Sequence, residues 1–168
     1  MVNSLSDFKQ SVKNLLIEKQ RVKFLTSCVS QGLIPKGLAV DVNDEEFGFM
    51  AGGINKGLDK ARALSQSTAQ IVIYKMGEHG AITFADGDEI STGIYTVKAL
   101  KPTGAGDSFM AGFLAGLANN VSLHDSVLRG SACAAIVVGR PGCAPAMPYN
   151  HDLDIFLTQH RGPSDVKA

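Results

Sequence analysis

The chain has 168 residues and no formal net charge, with 16 Lys and Arg against 16 Asp and Glu. This balance argues against a nucleic-acid-binding or membrane-surface protein, because both need a basic excess or stripe. Hydrophobic residues make up 45% of the chain, which is typical of a folded globular protein. Three cysteines without a CxxC pair indicate neither a disulfide framework nor a zinc site. We therefore expect a cytoplasmic domain that does not span a membrane.

The pattern of apolar residues predicts alternating helices and strands. In chain order they are a helix over 6–25, a strand over 38–42, a helix between Asn43 and Gly52-Gly53, a helix over 56–66 and a strand over 70–75. A hairpin over 81–92 and a strand over 94–100 follow, and then helices over 105–118 and 122–139, a loop over 140–148 and a short helix capped by Asn150. This order predicts an α/β domain, a mostly parallel sheet with helices on both faces.

The segment 103–109, with the sequence TGAGDSF, lies between a predicted strand and a predicted helix. Glycines at 104 and 106 allow a tight turn whose N–H groups face an anion, and the helix directs its positive end to the same place. Asp107 then falls in the first helical turn, where a carboxylate can accept a proton from a hydroxyl that attacks a bound phosphate. From spacing alone, a glycine turn in which Asp107 only stabilises the helix start is an equal alternative.

Two familiar nucleotide-binding motifs are excluded by the same segment. A Rossmann fingerprint requires Gly or Ala at the position of Phe109, and it occupies the first strand-to-helix turn of its domain. A Walker P-loop requires Gly-Lys-Ser/Thr, which the chain does not contain.

The segment resembles the nucleotide-phosphate signature of the ribokinase-like (PfkB) carbohydrate kinases, in which a GAGD tetrapeptide opens a helix. Three further segments are similar to motifs of this family and occur in the family's order. They are residues 43–46 (NDEE), similar to its N-x-x-E motif, residues 75–80 (KMGEHG), similar to its strand-end G-x-x-G, and residues 132–148, similar to its closing helix and loop. Residues 100–107 and 143–148 most resemble members that act on a sugar acid.

The resemblance implies an enzyme that transfers a phosphoryl group from ATP to a hydroxyl of a small sugar or sugar acid. It implies that Asp107 is the catalytic base. The amides of Gly104, Ala105 and Gly106 would then stabilise the transferring group. The nucleotide would contact a further set of residues: Lys75, Gly77, Gly80, Thr103, Gly142 and Ala144. For Lys75, a surface lysine at a strand end is favoured over a phosphate contact.

The resemblance also implies Mg²⁺, which Asn43 and Glu46 would contact through water. From the residues alone, this pair is a helix cap with an acid that complements the helix dipole, because such caps are common. A metal site with few protein ligands is no objection, because Mg²⁺ typically keeps several waters.

Two features depart from the family's pattern. Lys101 stands where the family usually has an Asp that helps to hold a monovalent cation, and we hypothesise that the Lys101 ammonium group replaces that cation. The resemblance begins near residue 40, so residues 1–39 are an unassigned, helical N-terminal segment and residues 40–168 are the nucleotide-binding part of a ribokinase-like domain.

We therefore expect a truncated chain without the family's sugar-binding half. That half would come from a complementing N-terminal partner or from a homo-oligomer. A non-catalytic nucleotide-binding module, or an inactive fragment, is the alternative.

Overall fold

The computed structural model describes residues 40–68, 71–160 and 162–163. The strands and helices are, in chain order, β1 (Val40–Asn43), α1 (Asp44–Ala51), α2 (Gly57–Thr68), β2 (Val72–Lys75), β3 (Ala81–Ala85), β4 (Asp88–Thr92), α3 (Ala105–Ala118), α4 (Leu123–Val138) and α5 (Asn150–Gln159). Short 3-10 helices cover Ile54–Lys56, Gly77–His79 and Ala144–Ala146. The helix predicted over 6–25 lies outside the described residues.

The four strands form one sheet in the order β1-β2-β3-β4. β2, β3 and β4 follow one another through short connections, as the strands of an antiparallel meander do. The predicted hairpin is confirmed, and its turn residues Asp86 and Gly87 both have the positive φ of a two-residue hairpin turn. The mostly parallel sheet that we expected from the alternation of elements is not confirmed.

The strand predicted over 94–100 is wrong. Residues 93–99 have no regular secondary structure, although Tyr95 and its neighbours have the apolar character of a strand. The N–H of Leu100 donates to the carbonyl oxygen of Val138 at 2.7 Å, and the buried Tyr95 packs in a core cluster with side chains of α4 and α5. A strand needs a neighbouring strand to complete its hydrogen bonds. This segment packs against helices instead.

The helix ends follow the capping residues of the sequence, with one correction. α1 stops at Gly52, whose φ of 75° is the left-handed conformation that ends a helix, as the Gly52-Gly53 pair predicts. Asn150 does not cap α5 but is its first residue, and Tyr149 is the N-cap. The carboxylate of Asp152 accepts the N–H of Tyr149 at 2.9 Å and closes this helix end. None of the described helices has both the length and the apolarity to cross a membrane.

The described chain forms two compact units. The first unit contains the described residues up to Tyr74 together with Phe84–Asp88. Its buried side chains include Phe47, Ala61, Leu64, Val72, Ile73 and Phe84. The rings of Phe47 and Tyr74 lie 5.6 Å apart. α1 and β2 are therefore joined through an aromatic contact within one core.

The second unit contains Lys75–Thr83 and the described residues from Glu89 onward. Its centre is the close contact of α3 with α4. A Cβ atom on Gly112 would lie 2.6 Å from the sulfur of Cys133, so only glycine allows this approach. Burial raises the pKa of the Cys133 thiol to about 11, and the thiol is therefore a protonated packing group at neutral pH.

Candidate functional site

α3 begins with backbone N–H groups that have no acceptor among the described residues. Gly104 is the N-cap residue, with φ 88° and ψ −3°, and no described side chain caps the helix there. The N–H of Ala105 donates to the carbonyl oxygen of Pro102 at 3.2 Å. Within the described part of the chain, the N–H groups of Gly106 and Asp107 have no such acceptor. The positive end of a 14-residue helix is therefore open at Gly106.

Two features of the structure require glycine at position 104. Its φ is in the left-handed region that L side chains rarely adopt. A Cβ atom there would also lie 2.7 Å from the sulfur of Cys143 and 3.6 Å from Cε of Met147. The loop over 140–148 thus packs directly on the turn ahead of α3. We predicted this loop near the nucleotide, but nothing in the sequence indicated the contact of Cys143 with Gly104.

Gly106 lies beside a cation. A Cβ atom on Gly106 would be 3.1 Å from Nζ of Lys75, the last residue of β2. The same Nζ lies 5.7 Å from the ring centroid of Phe109, one helical turn further along α3. Lys75, for which the sequence favoured a surface position over a phosphate contact, thus has its ammonium group at the open end of α3.

Asp107 is exposed in the first turn of α3, next to the open N–H groups. The following residue, Ser108, is only 1% exposed, and its hydroxyl has no hydrogen-bond partner in the described part of the chain. The helix surface therefore changes from solvent-accessible at Asp107 to core at Ser108 and Phe109 within one turn. Asp107 therefore lies on the solvent side of this boundary.

The two glycines of the G-x-x-G segment differ in what they do. Gly80 has φ 91°, and a Cβ atom there would collide with the carbonyl oxygen of Thr92, so this glycine is required by the strand contact. Gly77 has φ 58°, and outside its own short 3-10 helix and its chain neighbours no atom of the described residues lies within 4 Å of the point that a Cβ atom would occupy there, which leaves room for another molecule. The N–H of Met76 donates to the carbonyl oxygen of Gly80 at 2.8 Å and closes the turn.

Asn43 and Glu46 form a capping box at the start of α1. The side-chain oxygen of Asn43 accepts the N–H of Glu46 at 2.8 Å, and the Glu46 carboxylate accepts the N–H of Asn43 at 3.0 Å. The cap predicted from the residues alone is thus confirmed. One carboxylate oxygen of Glu46 carries the cap, and its second oxygen can still accept from a water.

These two residues fit Mg²⁺ only through water. No group of three His, Cys, Asp or Glu side chains among residues 40–68 and 71–160 is placed to hold a metal ion directly. A hydrated Mg²⁺ is compatible with this donor set, because the ion keeps most of its waters and accepts few protein ligands.

The remaining predicted residues lie around the turn ahead of α3 and in the loop that packs on it. The carbonyl oxygen of exposed Thr103 accepts a hydrogen bond from Nζ of Lys101 at 2.7 Å. Gly142 has φ 82°, and Ala144 opens the 3-10 helix Ala144–Ala146; both are exposed. The structure thus brings Thr103 and the loop to the start of α3. Asn43 and Glu46 belong to the first compact unit and are described within it.

The model of the pfkB family of carbohydrate kinases matches residues 10–150. The 5-dehydro-2-deoxygluconokinase of Photobacterium profundum is 39% identical over 120 residues, which are 68% of this chain and 36% of that protein. The crystal structure of ribokinase from Thermotoga maritima superimposes with a TM-score of 0.67 at 25% identity, over 71% of this chain and 42% of that one. Fructokinase from Vibrio cholerae, with fructose, ADP and calcium ion bound, gives a TM-score of 0.61 at 27% identity, over 71% and 40%. The chain spans about a third of the length of the curated relatives that it matches.

Proposed function

Because the chain belongs to the pfkB family of carbohydrate kinases, we propose that it binds Mg-ATP at the open end of α3 and takes part in phosphoryl transfer to a sugar hydroxyl. The observation that carries this proposal is the pair of N–H groups at Gly106 and Asp107 without an acceptor in the described chain, beside an exposed carboxylate. Oriented N–H groups and a helix dipole bind a phosphate and stabilise the charge that develops on it during transfer.

In the proposed reaction, Asp107 accepts the proton of the sugar hydroxyl. The hydroxyl oxygen then forms a bond to the γ-phosphorus while the bond from that phosphorus to the ADP oxygen breaks. The N–H groups of Gly106 and Asp107 hold the transferring group, and Gly104 provides the turn that presents them. Ala105 contributes through its place in the turn, because its own N–H already donates to Pro102.

The proposed contacts outside this turn follow from the position of each segment. The open space at Gly77 lies in the G-x-x-G segment, and the exposed Gly142 and Ala144 lie in the loop that packs on Gly104. Asn43 and Glu46 would contact Mg²⁺ through water, and the ion offsets phosphate charge when it is bound. Gly80 supports the site indirectly, since its close contact with Thr92 shapes the segment.

Lys101 is proposed to make the activity independent of a monovalent cation. Its ammonium group donates to the carbonyl oxygen of Thr103, directly before the left-handed turn at Gly104. A fixed positive charge at this carbonyl does what a bound potassium ion would do there. Equal turnover in potassium and in tetramethylammonium salts is expected, and a marked potassium requirement would contradict this role.

The proposed substrate is 5-dehydro-2-deoxygluconate, an intermediate of myo-inositol catabolism. The support is the 39% identity to the Photobacterium profundum enzyme of that name. Since the chain spans about a third of that protein's length, the sugar would be bound by a complementing N-terminal half or by a second copy of this chain. The same short span favours a second candidate function, a nucleotide-binding module without kinase activity of its own.

The first experiment is the thermal midpoint of the purified chain with and without Mg-ATP. A ligand at a hundred times its Kd adds about 2.7 kcal/mol, which raises the midpoint by roughly 5–10 °C in a domain of this size. The Gly106→Val variant should lose this shift. A wild-type midpoint that does not respond to Mg-ATP would contradict nucleotide binding. A sugar kinase assay on the chain, alone and mixed with an N-terminal half, then separates the enzyme from the module.

A further inference from the structure

We propose that Lys75 binds the terminal phosphoryl group of the nucleotide and makes the site prefer ATP to ADP. This inference rests on the proposed function, because it assigns the ammonium group of Lys75 to the same anion site. The sequence alone favours a surface residue over a phosphate ligand at Lys75. The structure provides two contacts that place its ammonium group at the start of α3.

The first contact is with Gly106. Nζ of Lys75 would lie 3.1 Å from a Cβ atom on this residue, and Gly106 has one of the two N–H groups without an acceptor in the described chain. An anion that accepts from Gly106 is therefore within reach of the lysine. Because lysine has a compact charge with three donors, it can follow a phosphoryl oxygen as the bound group changes shape.

The second contact is with the aromatic ring of Phe109. The ring of Phe109 is 6% exposed and lies 5.7 Å from Nζ of Lys75, within the range of a cation–π interaction. Phe109 is held in the core, so it cannot follow the lysine into solvent. The ring is therefore a positioning group, which keeps the ammonium near Gly106 before any ligand binds.

Asp107, the residue after Gly106, determines which phosphate group of the nucleotide is bound here. A catalytic base must lie within hydrogen-bond distance of the hydroxyl that attacks, and Asp107 is the next residue in the chain. The phosphoryl group at Gly106 is thus the one that is transferred. ADP has no such group, and a cation at this position adds affinity to ATP alone.

The test compares the dissociation constants of Mg-ATP and Mg-ADP, measured by calorimetric titration of the whole chain. In the Lys75→Met variant, the Kd for ATP should rise about tenfold to a hundredfold, as for the loss of one hydrogen bond to a charged group, while the Kd for ADP stays near that of wild type. The matched control is Lys98→Met, which removes an exposed lysine of the same unit. It should change neither constant.

Two further variants separate charge from folding. Lys75→Arg keeps the charge and should retain part of the preference for ATP. Phe109→Leu keeps an apolar side chain but removes the ring, and it should reduce the ratio of the two constants by about threefold to tenfold. The thermal midpoint without nucleotide shows whether each variant is folded. If Lys75→Met does not fold, the ratios of constants in Phe109→Leu and Lys75→Arg test the role of Lys75.

The outcomes distinguish the two proposals. If wild type binds both nucleotides and the Lys75 variants keep its ratio of constants, or lose affinity for ATP and ADP equally, the role of Lys75 is overturned and the anion site at Gly106 stands. If wild type binds neither nucleotide, the proposed function and the role of Lys75 are both overturned. A selective loss for ATP in Lys75→Met, with Lys98→Met unchanged, supports both.

Discussion

The first turns of α1 and α3 show what a helix N-terminus can be used for. α1 is closed by its own sequence, because Asn43 and Glu46 exchange hydrogen bonds with each other's backbone. α3 begins at a glycine that has no side chain to offer, and two of its N–H groups remain without an acceptor in the described chain. A capped end gains stability from its N–H groups, whereas an open end keeps them for a ligand. The difference lies in the residue at the N-cap.

The largest effect is expected at the open end of α3, where the carboxylate of Asp107 lies. Asp107→Asn, in the chain assembled into an active kinase, should lower turnover by about 10²–10⁴, because the amide cannot take the proton of the sugar hydroxyl. Binding of Mg-ATP should be nearly unchanged. Asp88→Asn, an exposed acid at the start of β4, is the control for a lost surface charge. A turnover near that of wild type in Asp107→Asn would remove this residue from the role of base.

The next effect is on folding. Gly104→Ala should reduce the free energy of unfolding by about 2–4 kcal/mol, the sum of a left-handed alanine and an overpacked contact with Cys143. Urea denaturation measures this loss. In the double variant with Cys143→Ala the packing part should be recovered and the backbone part should remain. An additive double variant would show that the 2.7 Å approach to the sulfur is relieved at no cost.

A smaller effect is expected at the closed end, and it separates capping from magnesium. Asn43→Ala should cost about 1 kcal/mol of stability, since it removes the cap of α1. Asn43→Ser keeps an N-cap oxygen and should restore most of that stability. If Asn43 also acts on Mg²⁺ through water, Asn43→Ser should weaken the thermal shift with Mg-ATP but not the shift with ATP and EDTA. Equal shifts in wild type and Asn43→Ser would leave Asn43 as a cap alone.

The smallest effect concerns α5, whose N-terminus is closed by a charge. The hydrogen bond from Arg140, at 2.9 Å, and that from the N–H of Tyr149 hold the pKa of Asp152 below its usual value. The folded pKa is thus below the unfolded one of about 4, so this stabilisation is complete above that pH and is lost as the pH falls through the folded pKa. Asp152→Asn should therefore flatten the fall of the thermal midpoint in acid. Arg140→Gln should flatten it too, and an unchanged slope in both variants would contradict this coupling.

Local signals predicted the helix boundaries well. The Asn43 cap, the Gly52 stop, the hairpin turn and the limits of α3 and α4 all depend on residues that act within four positions of one another. A strand over 94–100 would have required a partner strand from elsewhere in the chain. In the structure, Tyr95 packs against side chains of α4 and α5 instead. The mostly parallel sheet, which also depends on remote strand partners, is not confirmed.

The candidate site shows the same difference between features set by a short segment and contacts between distant segments. The turn at Gly104 and the open N–H at Gly106 follow from a short segment, so sequence could indicate them. The position of Lys75 could not be read from its neighbours, because residues 76–104 separate β2 from α3 in the chain and only folding brings its ammonium to Gly106. Nor could the contact of Cys143 with Gly104, which joins a loop to a turn across the whole of α3 and α4.

The tight contact between α3 and α4 has a consequence for the energetics of binding. Side chains on Gly112 and Gly116 would meet Cys133 and Ser126 at 2.6 Å, so the two helices cannot slide past one another without opening the core. α3 is thus packed on α4 at close range, and the turn at Gly104 lies at its N-terminus. The entropy of arranging the anion-binding N–H groups is therefore lost when the protein folds, and a phosphate that arrives later meets donors that are already preorganised.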